Sequence, residues 1–169
     1  MDEMITDYIT GKTVRNAGPE ASRQLFEKWL VEKKGYERSD IRVDEPLTVQ
    51  FKGEDYVSSV DLIVWCGNRP FMAVICVAGS IGSYEREILS AARLVHPYQV
   101  PFAVSTDARD AAIMDTLSGK TVGKGLEALP DKPKAVEMSK TLEYEKLDDR
   151  RREREMIIFR SFNLERVNV

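Results

Sequence analysis

The stretch from residue 60 to residue 79, VDLIVWCGNRPFMAVICVAG, constrains the fold more than any other part of the sequence. It consists of two apolar runs, VDLIVW and FMAVICVA, on either side of Cys-Gly-Asn-Arg-Pro. The Gly-Asn pair is a strong turn signal between hydrophobic strands. Neither run alternates cleanly between apolar and polar residues, which is typical of strands buried on both faces. The sequence therefore predicts a hairpin at the centre of a sheet.

Asp61 is the exception inside the first apolar run. A buried, unpaired carboxylate costs several kcal/mol, so a buried Asp61 needs a metal, a cation or several hydrogen bonds. The alternative is an aspartate at the start of a strand, at the solvent edge. Both interpretations stay open, and every functional hypothesis below depends on whether Asp61 is a ligand.

The overall composition predicts a soluble domain of ordinary size without a membrane partner. The chain has 169 residues and a net charge of −3, so it has no global attraction to nucleic acid. The acidic start MDEMITDYIT lacks the apolar core of a targeting peptide, and no stretch approaches the roughly 18 apolar residues of a spanning helix. Cys66 and Cys76 indicate buried thiols in the reducing cytoplasm, and with His96 they are too few for structural zinc.

The flanking sequence predicts an α/β (α+β) domain with a central mixed sheet. Residues 1–17 are predicted as an arm or a short helix, and residues 18–130 as the core domain. Within the core we expect helices over 19–33 and 83–95, and strands over 41–51, 101–106 and 111–116. The second helix would join two parallel strands in a βαβ unit. Residues 131–169 are predicted as a charged linker followed by a C-terminal helix over 147–162, packed on the domain or on a partner.

Four stretches of this core resemble a known family: GPEASRQLFEKWLVEKKGY, SSVDLIVW, GNRPFMAVI and VPFAVSTDARDAAIMDTLSGK. They place a glutamate in a first helix, an aspartate on one strand of a hairpin, then a second strand and a helix. This order resembles the PD-(D/E)XK nuclease fold and, more narrowly, the N-terminal nuclease domain of type I restriction enzyme R (motor) subunits. The resemblance spans about residues 18–130 and implies a restriction-endonuclease-like sheet.

The resemblance implies a Mg²⁺ site in which Asp61 and Glu20 are the candidate metal ligands and catalytic carboxylates. In the family an aspartate and a glutamate bind Mg²⁺, which activates a water molecule, and a lysine two residues after the glutamate offsets developing charge. Where the family has Glu-x-Lys, this sequence has Cys76-Val77-Ala78. A thiol is a poor ligand for Mg²⁺, and alanine carries no charge. The resemblance therefore implies a degenerate catalytic motif.

Other residues are candidates for the missing groups. Glu85 and Glu87 open the helix after the second strand and are further candidate catalytic acids, although carboxylates also favour a helix N-terminus without any catalytic role. Arg86 or Lys52 could supply the cation. Together with Arg69 they are the candidate nucleic-acid contacts.

The arginine-rich stretch over 150–154 has two interpretations. It fits a phosphate-contacting patch. It is also interleaved with acidic residues, so pairs four residues apart such as Asp148–Arg152 and Arg151–Glu155 would neutralise much of it. We favour the solvated, salt-bridged helix face.

Three functions remain open from the sequence. The first, which the missing Glu-x-Lys favours, is a nuclease-fold protein that no longer cleaves and acts by binding DNA or a protein partner. The second is an active Mg²⁺-dependent endonuclease with relocated catalytic residues. The third is a homodimeric interaction module joined through its apolar C-terminal helix.

Overall fold

The computed structural model describes residues 3–167, with side chains described up to residue 163. The strands are β1 (Met4–Thr6), β2 (Thr13–Arg15), β3 (Ile41–Phe51), β4 (Glu54–Cys66), β5 (Arg69–Cys76), β6 (Phe102–Thr106), β7 (Ala111–Asp115) and β8 (Thr121–Lys124). The helices are α1 (Glu20–Glu32), α2 (Glu85–Leu94), α3 (Lys132–Ser139) and α4 (Asp149–Val167). No helix in the described part of the chain is long and apolar enough to cross a membrane.

A mixed sheet of six strands, in the order β3-β4-β5-β6-β7-β8, forms the centre of the domain. The predicted hairpin is β4 and β5, which pair antiparallel with Leu62 opposite Val74. The turn needs Gly67, whose φ of 62° lies in the left-handed region. Strands β5 and β6 are parallel and joined through α2, as predicted. The predicted mixed sheet flanked by helices, with a C-terminal helix, is therefore confirmed.

The hairpin is buried on both faces because helices cover both sides of the sheet. On one side Phe26 and Leu30 of α1 pack in a core with Leu62 and Val74. On the other side α2 and α4 pack in a second core that contains Ile63. Alternate residues of each central strand thus enter different cores, which explains why the two runs lack a polar face.

For residues 1–17 an arm or a short helix was predicted, and the described residues of this segment form a hairpin of β1 and β2 in place of a helix. Gly11 in the connecting turn has a φ of 74°, and Asp7 accepts hydrogen bonds from the backbone N–H groups of Ile9 and Thr10 at 2.8 and 2.9 Å. A side chain that satisfies the amides of its own turn stabilises a turn in place of a helix. Residues 1 and 2 lie outside the described chain.

The linker predicted after residue 130 is also wrong, because it forms the start of α3. Asp131 caps this helix by accepting a hydrogen bond from the N–H of Lys134 at 2.9 Å. A proline lies in the first turn, where its missing N–H costs nothing. The Pro-Asp-Lys-Pro pattern is typical of a break in the chain and equally of a helix start. The short edge strand β8 was not predicted.

The C-terminal helix α4 packs back on the domain, as predicted, but its charges pair differently. Glu155 does not form the expected pair with Arg151; it binds Arg86 and Arg93 of α2, each at 2.8 Å. Asp148 accepts a hydrogen bond from the N–H of Arg151 at the start of the helix. Tertiary contact with α2 therefore determines which residue Glu155 binds.

Candidate functional site

Asp61 lies where β4 passes the end of β5. Its Oδ2 accepts a hydrogen bond from the backbone N–H of Cys76 at 2.8 Å. It lines a cleft of about 380 Å³ whose other walls are the chain after β5, the residues before α1, and Tyr84 before α2. Asp61 is half-buried, so it is neither a fully solvated edge residue nor sealed in the core.

The residues beside Asp61 on the second strand are Ile75 and Val77. Asp61 lines a small cavity with Ile75 on the α2 side of the sheet, and Val77 belongs to the same core. Cys76 belongs to the core on the α1 side. Because side chains alternate along a strand, a shift of one residue changes the face. The side chains that share the Asp61 face of the sheet are therefore Ile75 and Val77, and neither carries a carboxylate or an amine.

The Cys76 thiol is part of the core. Burial raises the pKa of Cys76 well above its ordinary value, and the negative charges of Asp61 and Glu27 raise it further. The thiolate is the form that binds metals or acts as a nucleophile. A fully buried neutral thiol fits the interpretation of Cys76 as a small hydrophobic residue.

Glu20 is held inside a hydrogen-bond network at the start of α1. Its Oε1 accepts from Arg23 Nε and Nη2 at 3.0 and 2.8 Å and from Gln24 Nε2 at 2.8 Å. Arg23 also donates to Asp44 at 2.7 Å. The pKa of Arg23 is raised because its acidic partners outweigh the effect of burial. Pro19, the residue before Glu20, lines the same cleft as Asp61.

The other members of this network were not predicted from the sequence. We call the whole network the α1 polar cluster: Asp7, Glu20, Arg23, Gln24, Glu27 and Asp44. Gln24 donates to Asp7 at 2.9 Å. Glu27 is fully buried, and neither of its carboxyl oxygens has a hydrogen-bond partner. The available signal was the spacing of residues 20, 23, 24 and 27, since polar residues at this spacing share one helix face just as an apolar stripe does.

Glu87 is the second predicted acid that the structure brings close to Asp61. It is buried and lines the same small cavity, together with Ile75 and with Phe159 of α4. Glu85, at the start of α2, is half-buried and lines neither the cavity nor the cleft.

The three predicted cations do not meet at Asp61. Arg86 binds Glu155 with two hydrogen bonds. Lys52 lies at the turn between β3 and β4, and the seven strand steps from Glu54 to Asp61 cover about 23 Å. Arg69 lies at the opposite end of β5, where its guanidinium is 5.0 Å from the centre of the Tyr144 ring.

The residues around Asp61 do not fit a Mg²⁺ ion. In the described part of the chain, no group of three or more His, Cys, Asp or Glu side chains could hold a metal. The cavity that Asp61 and Glu87 both line has a volume of about 20 Å³, and Asp61 is the one carboxylate among the residues lining the larger cleft, whereas Mg²⁺ needs octahedral oxygen ligands and usually keeps several waters. No catalytic step through a metal is therefore derived for this arrangement.

Comparison with known proteins gives the family. No curated protein matches the chain. A solved fragment assigned as an HsdR subunit of a type I restriction enzyme from Vibrio vulnificus YJ016 shares its fold, with a TM-score of 0.54 and 16% sequence identity over 72% of this chain. The chain spans only 25% of that relative's length. The family model for the type I restriction enzyme R protein N terminus matches residues 18–130, which is more than half of the 169 residues. The chain therefore belongs to the family of type I restriction enzyme R protein N-terminal domains.

Proposed function

We propose that this domain is a nuclease-fold module of the PD-(D/E)XK type that binds nucleic acid without cleaving it, as part of a restriction-type system. The observation that carries the proposal is the pair of apolar side chains, Ile75 and Val77, on the strand positions beside Asp61. An aliphatic pair can neither bind a metal nor stabilise a developing charge on phosphate. We propose the cytoplasm as its location because Cys66 and Cys76 are both free and buried.

The predicted polar residues other than Asp61 support binding of nucleic acid better than its cleavage. Glu20 and Arg23 are held by one another and by neighbours in the α1 polar cluster. Arg69, by contrast, extends from an exposed turn, where it is free of an acidic partner in the described chain. An exposed arginine can contact phosphate with little desolvation cost.

The test is cleavage and binding measured on the same preparation. We expect no cleavage of plasmid or single-stranded DNA with Mg²⁺ or Mn²⁺, and salt-dependent binding of labelled DNA by fluorescence anisotropy. Asp61→Ala serves as the control for contaminating nucleases. Cleavage by the wild type that disappears in Asp61→Ala would overturn the proposal of a non-cleaving domain.

A second candidate function is an active endonuclease that uses Asp61 and Glu87. Its specific support is that both carboxylates line one cavity. It predicts that Glu87→Gln abolishes cleavage as completely as Asp61→Ala, whereas Glu85→Gln retains it. Equal cleavage by all three variants would exclude this candidate.

Homodimerisation through α4 stays a prediction. Phe159 is buried within the domain, and among the α4 residues with described side chains, 149–163, Ile157 is an exposed large apolar residue. Light scattering checks the prediction, since a monomer has a mass of 19.2 kDa.

A further inference from the structure

A pocket of about 520 Å³ lies at the opposite end of β5 from Asp61. We call it the aromatic pocket. Its lining residues are Trp65, Asn68, Arg69, Pro70, His96, Pro97, Tyr98 and Tyr144. Tyr98 is 47% exposed, so the rings form an open surface that a flat ligand can reach. Arg69, six strand steps from Ile75, lies about 20 Å from Asp61, and Trp65, four steps along β4, lies about 13 Å from Asp61.

Each of the three large rings in the aromatic pocket has a cation beside it. The guanidinium of Arg42 lies 4.1 Å from the centre of Trp65. The guanidinium of Arg69 lies 5.0 Å from Tyr144, and the Lys146 ammonium lies 5.3 Å from Tyr98. The lining residues include no aspartate or glutamate. The pocket therefore combines stacking surfaces with positive charge, although the chain as a whole is acidic.

Contacts within the protein hold the rings in place. Tyr144 donates a hydrogen bond from its hydroxyl to the carbonyl of Pro70 at 3.0 Å. Trp65 and His96 pack edge to face with their ring centres 5.5 Å apart. The indole Nε1 of Trp65 is buried and has no hydrogen-bond partner in the described chain. A site whose rings are already positioned loses little conformational entropy when a ligand binds.

We propose that the aromatic pocket binds an unpaired base of single-stranded nucleic acid, with the adjoining phosphates on Arg69 and Lys146. This inference rests on the proposed nucleic-acid binding and names the form of nucleic acid. Bases stack on tyrosine and tryptophan rings only when they leave the duplex stack. A proline-rich peptide also fits grooves lined with aromatic rings. However, a peptide of that kind does not require three cations, which complement a phosphodiester backbone.

The experiment measures binding of a fluorescein-labelled oligothymidylate of about 12 nucleotides by anisotropy, using the full chain. Tyr98→Ala removes an exposed ring and should weaken binding by about tenfold or more, while Tyr98→Phe keeps the ring and should bind as the wild type does. Arg69→Ala should weaken binding and flatten its dependence on salt. Arg109→Ala, which removes an exposed arginine from the loop between β6 and β7, is the matched control and should change neither quantity.

Different failures have different meanings. If the wild type binds duplex or single-stranded DNA and Tyr98→Ala binds as Arg109→Ala does, the aromatic pocket is not the binding site, but the proposed function stands. If the wild type binds neither form, both proposals fail. If a proline-rich peptide binds and Tyr98→Ala abolishes that binding while no oligonucleotide binds, the pocket is a peptide site and our inference is wrong.

Discussion

Glu27→Gln should abolish most of the loss of stability that the wild-type protein shows as the pH rises from about 5 to about 8. Glu27 is fully buried in α1, and its carboxyl oxygens have no hydrogen-bond partner. Burial raises the pKa of Glu27 to about 8, and the negative charge of Asp7 contributes to the rise. In the unfolded chain the same carboxyl has its ordinary pKa of 4.5.

The sign of the effect follows from proton binding. Between the two pKa values of Glu27, 4.5 unfolded and about 8 folded, the native state holds a proton that the unfolded state has released. The free energy of unfolding therefore falls as the pH rises through this interval and becomes level above it. The difference between the two pKa values corresponds to a loss of at most about 5 kcal/mol in the free energy of unfolding, and we expect a measured loss of several kcal/mol. For a domain whose total stability is about 5–15 kcal/mol, this loss is large.

The measurement is urea unfolding of wild type and variants across this pH range. Glu27→Gln should gain stability relative to the wild type as the pH rises from about 5 to about 8, and the difference should be level above that. Glu27→Leu removes the polar group altogether and should show the same advantage. Glu32→Gln, at the exposed end of the same helix, is the control. Its free energy of unfolding should change with pH in the same way as that of the wild type. Parallel profiles for Glu27→Gln and the wild type would mean that Glu27 ionises normally.

The sheet was predictable because its signals are local. The length, apolar content and Gly-Asn turn of the 60–79 stretch define β4 and β5, and regular spacing defines β3 between residues 41 and 51. The N-terminal hairpin and α3 were missed because a single short side chain decides each of them. Asp7 satisfies the amides of a turn, whereas Asp131 caps a helix. The same residue type thus has opposite consequences, and local composition does not distinguish them.

The candidate site was predicted only in part, because its geometry depends on contacts across the fold. Asp61 and Glu87 were both identified, and the structure places them on one cavity. The place of Ile75 beside Asp61 was not predicted, since the sequence does not show which face of β5 turns toward α2. Arg23 was overlooked because nothing near it in sequence shows that Asp44 is its partner. Pairing across 21 residues is a product of the fold.

Glu155→Ala should lower the free energy of unfolding by about 3–5 kcal/mol, because it leaves a nearly buried cation without its partner. Glu155 binds Arg93 at 2.8 Å, and the Arg93 side chain is only 10% exposed. The remaining hydrogen bond of Arg93, from Nε to the Thr116 carbonyl at 3.0 Å, does not neutralise its charge.

Burial alone would raise the pKa of Glu155, but hydrogen bonds from Arg86, Ser90 and Arg93 outweigh it and lower the pKa. The stabilisation is therefore present above the ordinary carboxyl pKa and is lost as the pH falls through the lowered value.

Urea unfolding measures the stability of the whole domain, and hydrogen exchange of residues 149–163 measures the local stability of α4. The two together distinguish local loosening of α4 from destabilisation of the whole domain. Glu153→Ala, an exposed neighbour on the same helix, should change stability by no more than about 0.5 kcal/mol. Phe159 of α4 lines the cavity that contains Asp61 and Glu87, so loosening the helix should also uncover these carboxylates. We expect Glu155→Ala to increase exchange in α4 more than in β4 and β5. Unchanged protection of α4 would mean that the apolar contacts of Phe159 hold the helix without the ion pair, and that the two carboxylates stay covered whatever Glu155 binds.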